Sequence, residues 1–253
     1  MDQSLAIAAN PPFWLGSATP AVRICGHSHR GAYIKALDGA GTIAGVPAAV
    51  LHQDMAKASG TGDDYWASLP GMVDETPLAI VWAGNQHNSH FLLAPKEPFY
   101  VFNGRNPDPD NAPIVPREAV KAKFEPLYRQ LDGWIKDLRG RCPIFLVASP
   151  PPMSRSKVRE HFQRSGPLLR IVVENGLDPS DPPIAPDWLR ITAWELMAEK
   201  AAEVADDLGI GYIPVPSTVQ DESGCLRDEL AADATHANGE FGIIMMREIA
   251  TRL

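Results

Sequence analysis

The chain has 253 residues, of which 45% are hydrophobic and 21% are charged, a composition typical of a globular protein with a sizeable core. Acidic residues outnumber basic residues by 31 to 23, which gives a net charge of −8, and no basic run stands out. Nucleic acids and anionic membrane surfaces are therefore not expected partners. No apolar stretch approaches the length of about 20 residues that a transmembrane helix needs.

The cysteines are few and far apart, at positions 25, 142 and 225. Their odd number and wide spacing fit neither a disulfide framework nor a zinc ribbon, and they favour a reducing compartment. Residues 1–7 lack the basic region and the long apolar core of a signal peptide. We therefore expect a cytoplasmic protein.

Strands and helices alternate along the first half of the chain. An apolar strand at 22–25 stops at a glycine, and helical spacing follows at 29–37. A second strand is predicted at 48–51, and a polar, glycine-rich turn at 59–64. Residues 78–82 form the clearest strand, because a continuous apolar run is typical of a central parallel strand that is buried on both faces. A polar cluster follows this strand.

The second half continues the alternation, interrupted by two proline-rich excursions at about 91–116 and 149–185. Between them lie a helix at 117–138, in which Pro126 favours a kink, and a strand at 143–148. The last elements are a helix, a short strand and a final helix, at 186–208, 211–215 and 238–252.

This alternation predicts an α/β protein of a single domain, residues 1–253, with a three-layer α/β/α, flavodoxin-like parallel sheet of about five strands. Ligands of such sheets bind at the carboxyl ends of the strands. Polar clusters follow the first strand and the central strand, and another precedes the last helix. We therefore expect these clusters to converge at one edge of the sheet.

Two motifs far apart in the chain supply groups for nucleophilic catalysis. Gly26-His27-Ser28-His29 places a serine at a strand-to-helix turn, where its hydroxyl is lifted out of the sheet beside free N–H groups. Asp233-Ala234-Thr235-His236 precedes the last helix. A hydroxyl is a weak nucleophile at neutral pH and needs an adjacent base, which a histidine oriented by a carboxylate provides. Taken alone, Ser28 also fits a helix N-cap, and Asp233 fits a cap of the last helix.

The order of these motifs, together with the glycine-rich turn and an asparagine after the central strand, resembles the SGNH (GDSL-type) hydrolase family. The resemblance covers the framework of the chain, roughly residues 21–90, 142–150 and 209–250. The two excursions have no counterpart in the minimal core of that family.

The resemblance implies a role for each matching residue. Ser28 would be the nucleophile, His236 the general base, and Asp233 the group that orients the imidazole. The Ser28 N–H, the Gly62 N–H and the Asn85 side-chain amide would form the oxyanion hole.

The first and third blocks of this sequence diverge from the family pattern. His27 replaces the aspartate that usually precedes the serine, and His29 replaces the leucine of the GDSL name. The usual Gly-x-Asn-Asp is Ala83-Gly84-Asn85-Gln86, which leaves Asn88 as a rival oxyanion donor. In the second block, Gly60 is a close rival of Gly62 as the oxyanion donor.

The remaining histidines allow two interpretations. We expect His27, His29 and His87 to line the cleft and to bind substrate oxygens. The spacing of these three with His90 also fits a transition-metal site, and Gly-His-Ser-His resembles a segment of calcineurin-like metallophosphoesterases. The blocks that precede this segment in that family are missing from the sequence. The preferred interpretation therefore involves no metal and no cofactor.

The sequence thus predicts a serine hydrolase that cleaves a small carboxylic ester, such as an O-acyl sugar, through a covalent acyl-enzyme. One alternative is a metal-dependent phosphoesterase that uses the four histidines, and another is a non-catalytic binding protein on the same fold. Acyl transfer also stays open, because an acyl-enzyme can pass its acyl group to an alcohol instead of to water.

Overall fold

The computed structural model describes residues 14–52, 66–82, 86–102 and 112–253. The oxyanion donors predicted at Gly60, Gly62 and Asn85 lie outside these residues. Within the described chain, no helix combines the length and the apolar composition needed to cross a bilayer.

The strands are short, and the five predicted from the sequence are all present. The strands are β1 (Trp14–Gly16), β2 (Val22–Gly26), β3 (Thr42–Ile43), β4 (Val46–Leu51), β5 (Leu78–Val81), β6 (Ile144–Val147) and β7 (Gly211–Ile213). The predicted central strand, β5, is buried at all of its positions, as its continuous apolar run requires.

The helices are α1 (Gly31–Ala36), α2 (Gln86–Phe91), α3 (Arg117–Lys121), α4 (Glu125–Ile135), α5 (Arg155–Phe162), α6 (Gly166–Glu174), α7 (Asp187–Asp207) and α8 (Gly239–Ala250). The single helix predicted at 117–138 is wrong, because α3 and α4 are separated by a 3₁₀ turn at Ala122–Phe124. Pro126 lies in the first turn of α4. Its ring and its missing N–H cannot continue a helix from the preceding turn, so a new helix begins there.

The described sheet is mostly parallel. Its strand order is β1-β4-β2-β5-β6-β7, with β3 paired to β4. The run from β4 to β7 is parallel throughout, which confirms the predicted α/β class and its five parallel strands. The estimate of about five strands omitted β1 and β3, which pair antiparallel with β4. These strands have three and two residues, so neither is long enough to show a periodic pattern.

Helices cover both faces of the sheet, which gives the predicted three layers. On one face, α1 and α8 pack with Val22, Ile24 and Phe241 in a common core. On the other face, α4 and α7 pack with Ile80 and Trp82 in a second core. The two cores together hold the sheet between layers of helix, and they leave the carboxyl ends of the parallel strands open to side chains from the loops.

The two proline-rich excursions contact each other. Ala94 N–H donates to the Pro183 carbonyl at 2.6 Å, and Ala185 N–H donates to the Leu92 carbonyl at 2.8 Å. The second excursion contains α5 and α6, which the sequence analysis did not predict as helices. Their placement against the first excursion brings both segments to the edge where the polar motifs lie.

Candidate active site

Ser28 begins a 3₁₀ turn, Ser28–Arg30, directly after β2, and its side chain is exposed. The chain turns at Gly26, which has a φ of +136°. A Cβ at Gly26 would overlap the Val81 carbonyl of the neighbouring strand, so only glycine allows this turn. His27 N–H then donates to the same Val81 carbonyl at 2.8 Å, which fixes the start of the turn. The Ser28 N–H is the first donor of the turn and has no partner within it.

A short hairpin-like loop before α8 carries Asp233 and His236. Ala231 and Ala237 form an antiparallel bridge across it, and Ala232 N–H donates to the His236 carbonyl at 2.8 Å. The loop ends at Asn238, whose side-chain oxygen caps α8. Backbone hydrogen bonds and the cap of α8 therefore hold the loop that carries Asp233 and His236.

This loop brings His236 to Ser28, although 208 positions separate the two residues in the chain. His236 Nε2 lies 3.0 Å from Ser28 Oγ, and His236 Nδ1 lies 3.0 Å from Asp233 Oδ2. With the Nδ1–H facing the carboxylate, Nε2 is the acceptor for the serine hydroxyl. The imidazole can therefore take the proton of Ser28 without any rearrangement.

Local hydrogen bonds lower the pKa of the Asp233 carboxylate. Burial would raise the pKa of Asp233, but the His236 ring and the N–H groups of Thr235 and His236 all donate to the carboxylate. These bonds and the charge of His236 together hold the pKa of Asp233 well below its usual range. The carboxylate is therefore ionised at every pH at which the imidazole is useful as a base. Thr235, which the sequence analysis did not single out, also places its hydroxyl 3.2 Å from His236 Nδ1.

A cavity of about 450 Å³ opens beside the imidazole, and we call it the His236 cavity. One wall is the loop with Asp233, Thr235 and His236. The opposite wall comes from α2 and from the segment 161–171 of the second excursion. Ser28 is not among its lining residues. The sequence analysis did not predict α5 and α6, and no local pattern reveals which residues such a segment packs against.

His27 lies in an aromatic cluster beside the turn. Its ring centroid is 4.8 Å from that of Trp82 and 5.6 Å from that of Trp66. Burial, with a smaller contribution from the Arg30 charge, lowers the pKa of His27 to about 4. The residue that replaces the aspartate of the resembling family is therefore neutral at physiological pH.

His29 and His87 are both buried, with exposed fractions of 3% and 2%. The His29 ring lies 5.1 Å from the His236 ring, so the two imidazoles are neighbours. Burial, aided by the charges of His29 and Arg190, lowers the pKa of His87 to about 3. Neither side chain lines the His236 cavity. The predicted binding of substrate oxygens by His27, His29 and His87 stays a prediction, and it requires the substrate to reach side chains that the fold encloses.

The four histidines of the metal hypothesis do not come together. His27 packs on two tryptophans, whereas His90 packs on Phe91 and Phe124. Among the residues that the structure describes, no group of three or more His, Cys, Asp or Glu side chains has an arrangement that could hold a metal ion. The described geometry thus favours the serine over the metal interpretation.

The oxyanion hole is described only in part. Gly62 and Asn85 lie outside the described residues, so their roles stay predictions. Asn88, the rival donor, is in α2, is 6% exposed and lines the His236 cavity. Because Asn88 and His236 line the same cavity, Asn88 can contact a molecule bound beside the imidazole.

Comparison with known proteins finds likeness in structure only. No family model matches the sequence, and no curated protein matches it. The structure is similar to that of phospholipase A1 from Streptomyces albidoflavus, at 11% identity and a TM-score of 0.46, over 93% of this chain and 100% of that chain. It is also similar to a catalytic mutant of an acetylxylan esterase from Geobacillus stearothermophilus, at 11% identity and a TM-score of 0.46, over 94% of each chain.

A GDSL-like lipase from Bacteroides thetaiotaomicron is similar at 11% identity and a TM-score of 0.40, over 91% of this chain and 86% of that chain. Because these TM-scores lie below 0.5, the function proposed below rests on the side-chain geometry and not on this likeness.

Proposed function

We propose that this chain is a serine hydrolase that cleaves a carboxylic ester through Ser28, His236 and Asp233. The observation that carries the proposal is the unbroken hydrogen-bonded sequence of hydroxyl, imidazole and carboxylate, with 3.0 Å at each of its two steps. This arrangement provides an activated nucleophile, a base for its proton and a fixed charge that stabilises the imidazolium.

The reaction divides into two steps. Ser28 Oγ attacks the ester carbonyl carbon while its proton passes to His236 Nε2, and the Ser28 N–H donates a hydrogen bond to the oxyanion. The bond from carbon to the alcohol oxygen then breaks, and the alcohol leaves with the proton from Nε2. Water next attacks the acyl-enzyme with His236 as base, which releases the carboxylic acid and restores the hydroxyl.

Replacement of Ser28 by alanine tests the proposal directly. We expect wild-type protein to hydrolyse para-nitrophenyl acetate and to be labelled at Ser28 by a fluorophosphonate, as peptide mass spectrometry would show. Ser28→Ala should abolish both, with an unchanged circular dichroism spectrum. Ser217→Ala is a matched control, because Ser217 also begins a 3₁₀ turn after a strand, yet it makes no contact with the imidazole.

Full ester turnover by Ser28→Ala, or a label on another residue, would contradict the proposal. Complete absence of turnover and labelling in the wild type would support a non-catalytic binding protein instead.

A further inference from the structure

The position of the His236 cavity indicates which part of an ester it receives, and this inference rests on the proposed function. In the proposed reaction, His236 Nε2 passes its proton to the alcohol oxygen as the alcohol leaves. The alcohol part must therefore lie on the imidazole side of the bond that breaks. The cavity is lined by Asp233, Thr235 and His236 but not by Ser28. A cavity that adjoins the imidazole fits the alcohol part of the substrate.

Leucine side chains supply part of the buried lining of the cavity, beside the buried Asn88. Leu92 and Leu168 are buried, with exposed fractions of 4% and 8%, and Ile171 continues the same wall toward solvent. Side chains of this type stabilise a bound group by excluding water from it. The volume of about 450 Å³ lies within the range of cavities that hold small organic ligands.

Arg164 lies at the rim of this cavity, and within the described part of the chain it has no ion-pair partner. Among the described residues, no carboxylate lies within 4 Å of its guanidinium, although neighbouring basic side chains are paired: Lys157 with Glu160 at 3.1 Å, and Arg159 with Asp181 at 3.3 Å. Glu160 is near enough to feel the charge of Arg164, but its hydrogen bond is to Lys157. Asp233, the one carboxylate among the described lining residues, is hydrogen-bonded to His236.

His161 stands one turn before Arg164 and lines the same rim, and Arg164 N–H donates to the His161 carbonyl at 3.0 Å. The rim thus presents one fixed positive charge in a protein whose net charge is −8. A cation beside a partly apolar cavity attracts an anionic group, which the net negative charge of the protein otherwise repels.

We propose that the His236 cavity binds an alcohol part that is partly apolar and carries a carboxylate or phosphate group, and that Arg164 pairs with this anion. The chemical class of the substrate is therefore an ester of an anionic alcohol. Arg164 determines specificity in this reaction and takes no part in the bond-breaking steps.

Three phenyl acetates that differ only at the para position test the proposal. One carries a carboxymethyl group, one a phosphonomethyl group, and one the neutral carbamoylmethyl group, which is nearly isosteric with the first. The methylene separates the substituent from the phenol oxygen, so the three leaving groups have similar reactivity. We expect kcat/KM to be about tenfold higher for the preferred anionic ester than for the neutral ester, the effect of one charge-assisted contact at a partly solvated site.

In Arg164→Gln, the ratio of anionic to neutral kcat/KM should fall to about one. Arg159→Gln removes the same charge five positions earlier, in α5 and outside the cavity, and it should keep the wild-type ratio. High salt should lower the wild-type ratio, because it screens the exposed pair. A preference for the carboxymethyl or the phosphonomethyl ester identifies which anion the rim accepts.

Two results would overturn this proposal while leaving the proposed function intact. They are Ser28-dependent turnover of all three esters at equal kcat/KM, and an unchanged ratio in Arg164→Gln. Failure of the proposed function gives a different result, in which no ester is cleaved and fluorophosphonate does not label Ser28, and the assignment of the cavity then falls with it.

Discussion

At the scale of single residues, Asp233 holds the candidate site together. Its carboxylate accepts a hydrogen bond from the His236 ring and two more from backbone N–H groups of its own loop. The backbone bonds orient the carboxylate, and the carboxylate in turn selects the tautomer in which Nε2 accepts the serine proton. Both the charge and the orientation of Asp233 therefore favour the His236 tautomer whose Nε2 can accept a proton.

Replacement of Asp233 by asparagine should lower kcat/KM for para-nitrophenyl acetate by roughly 10²–10⁴-fold, because the amide removes the charge and favours the wrong tautomer of the imidazole. Asp228→Asn is the control, since Asp228 is an exposed carboxylate only five positions earlier. Steady-state kinetics of both variants provides the measurement. An Asp233→Asn protein that kept more than a tenth of wild-type kcat/KM would show that the carboxylate has no catalytic role.

At the scale of elements, Asn238 connects the loop of Asp233 and His236 to α8. Its side-chain oxygen accepts from the N–H groups of Glu240 and Phe241, and its side-chain amide donates to the Glu229 carbonyl at 2.6 Å. Its own N–H donates to the Leu230 carbonyl at 2.8 Å. One residue thus caps a helix and closes the frame that carries His236.

Asn238→Ala should lower the free energy of unfolding by about 1 kcal/mol through loss of the cap. It should also lower kcat several-fold, because a small displacement of His236 lengthens its contact with Ser28. Ser154→Ala is the matched control, since Ser154 caps α5 by accepting from Lys157 N–H at 3.2 Å. We expect that variant to lose similar stability in urea unfolding and to keep its kcat. Equal kcat in both variants would show that the cap of α8 does not position the imidazole.

At the scale of the whole molecule, burial of neutral histidines makes stability depend on pH. His27 and His87 have folded-state pKa values of about 4 and about 3, whereas an unperturbed histidine in the unfolded chain titrates near 6.5. Between these values, the unfolded chain binds protons that the folded chain does not. The free energy of unfolding therefore falls as the pH falls below about 6.5. The Asp233 carboxylate has a depressed pKa in the folded chain. Its contribution to the free energy of unfolding is therefore lost only below about pH 4, where the carboxylate of the unfolded chain binds a proton.

Urea unfolding between pH 7.5 and pH 5 should show this loss, with a slope that approaches about 1.4 kcal/mol per pH unit for each of the two histidines. His27→Phe keeps a ring in the aromatic cluster but removes one titrating group, so it should reduce the slope by about one such contribution. A slope that is the same in the wild type and in His27→Phe would contradict the burial of a neutral His27.

The sequence determined the order of the elements and the types of residue at their ends. Runs such as Leu78–Val81 must be buried on both faces, and Gly26 permits a turn that no other residue allows, so the α/β class and the place of Ser28 follow from local chemistry. Helix α2 and the helices of the second excursion were missed, because they are only six, eight and nine residues long.

Only the tertiary structure decided how residues distant in the chain meet. It brings His236 Nε2 to 3.0 Å from Ser28 Oγ and buries His29 and His87. It also places Arg164 in the lining of a cavity beside the imidazole. These distances depend on strand order, on the interlocked excursions and on the frame around Asn238. Such contacts arise from the packing of segments that are distant in the chain. A sequence motif shows which groups are present, but it does not show which residues lie next to them in the folded protein.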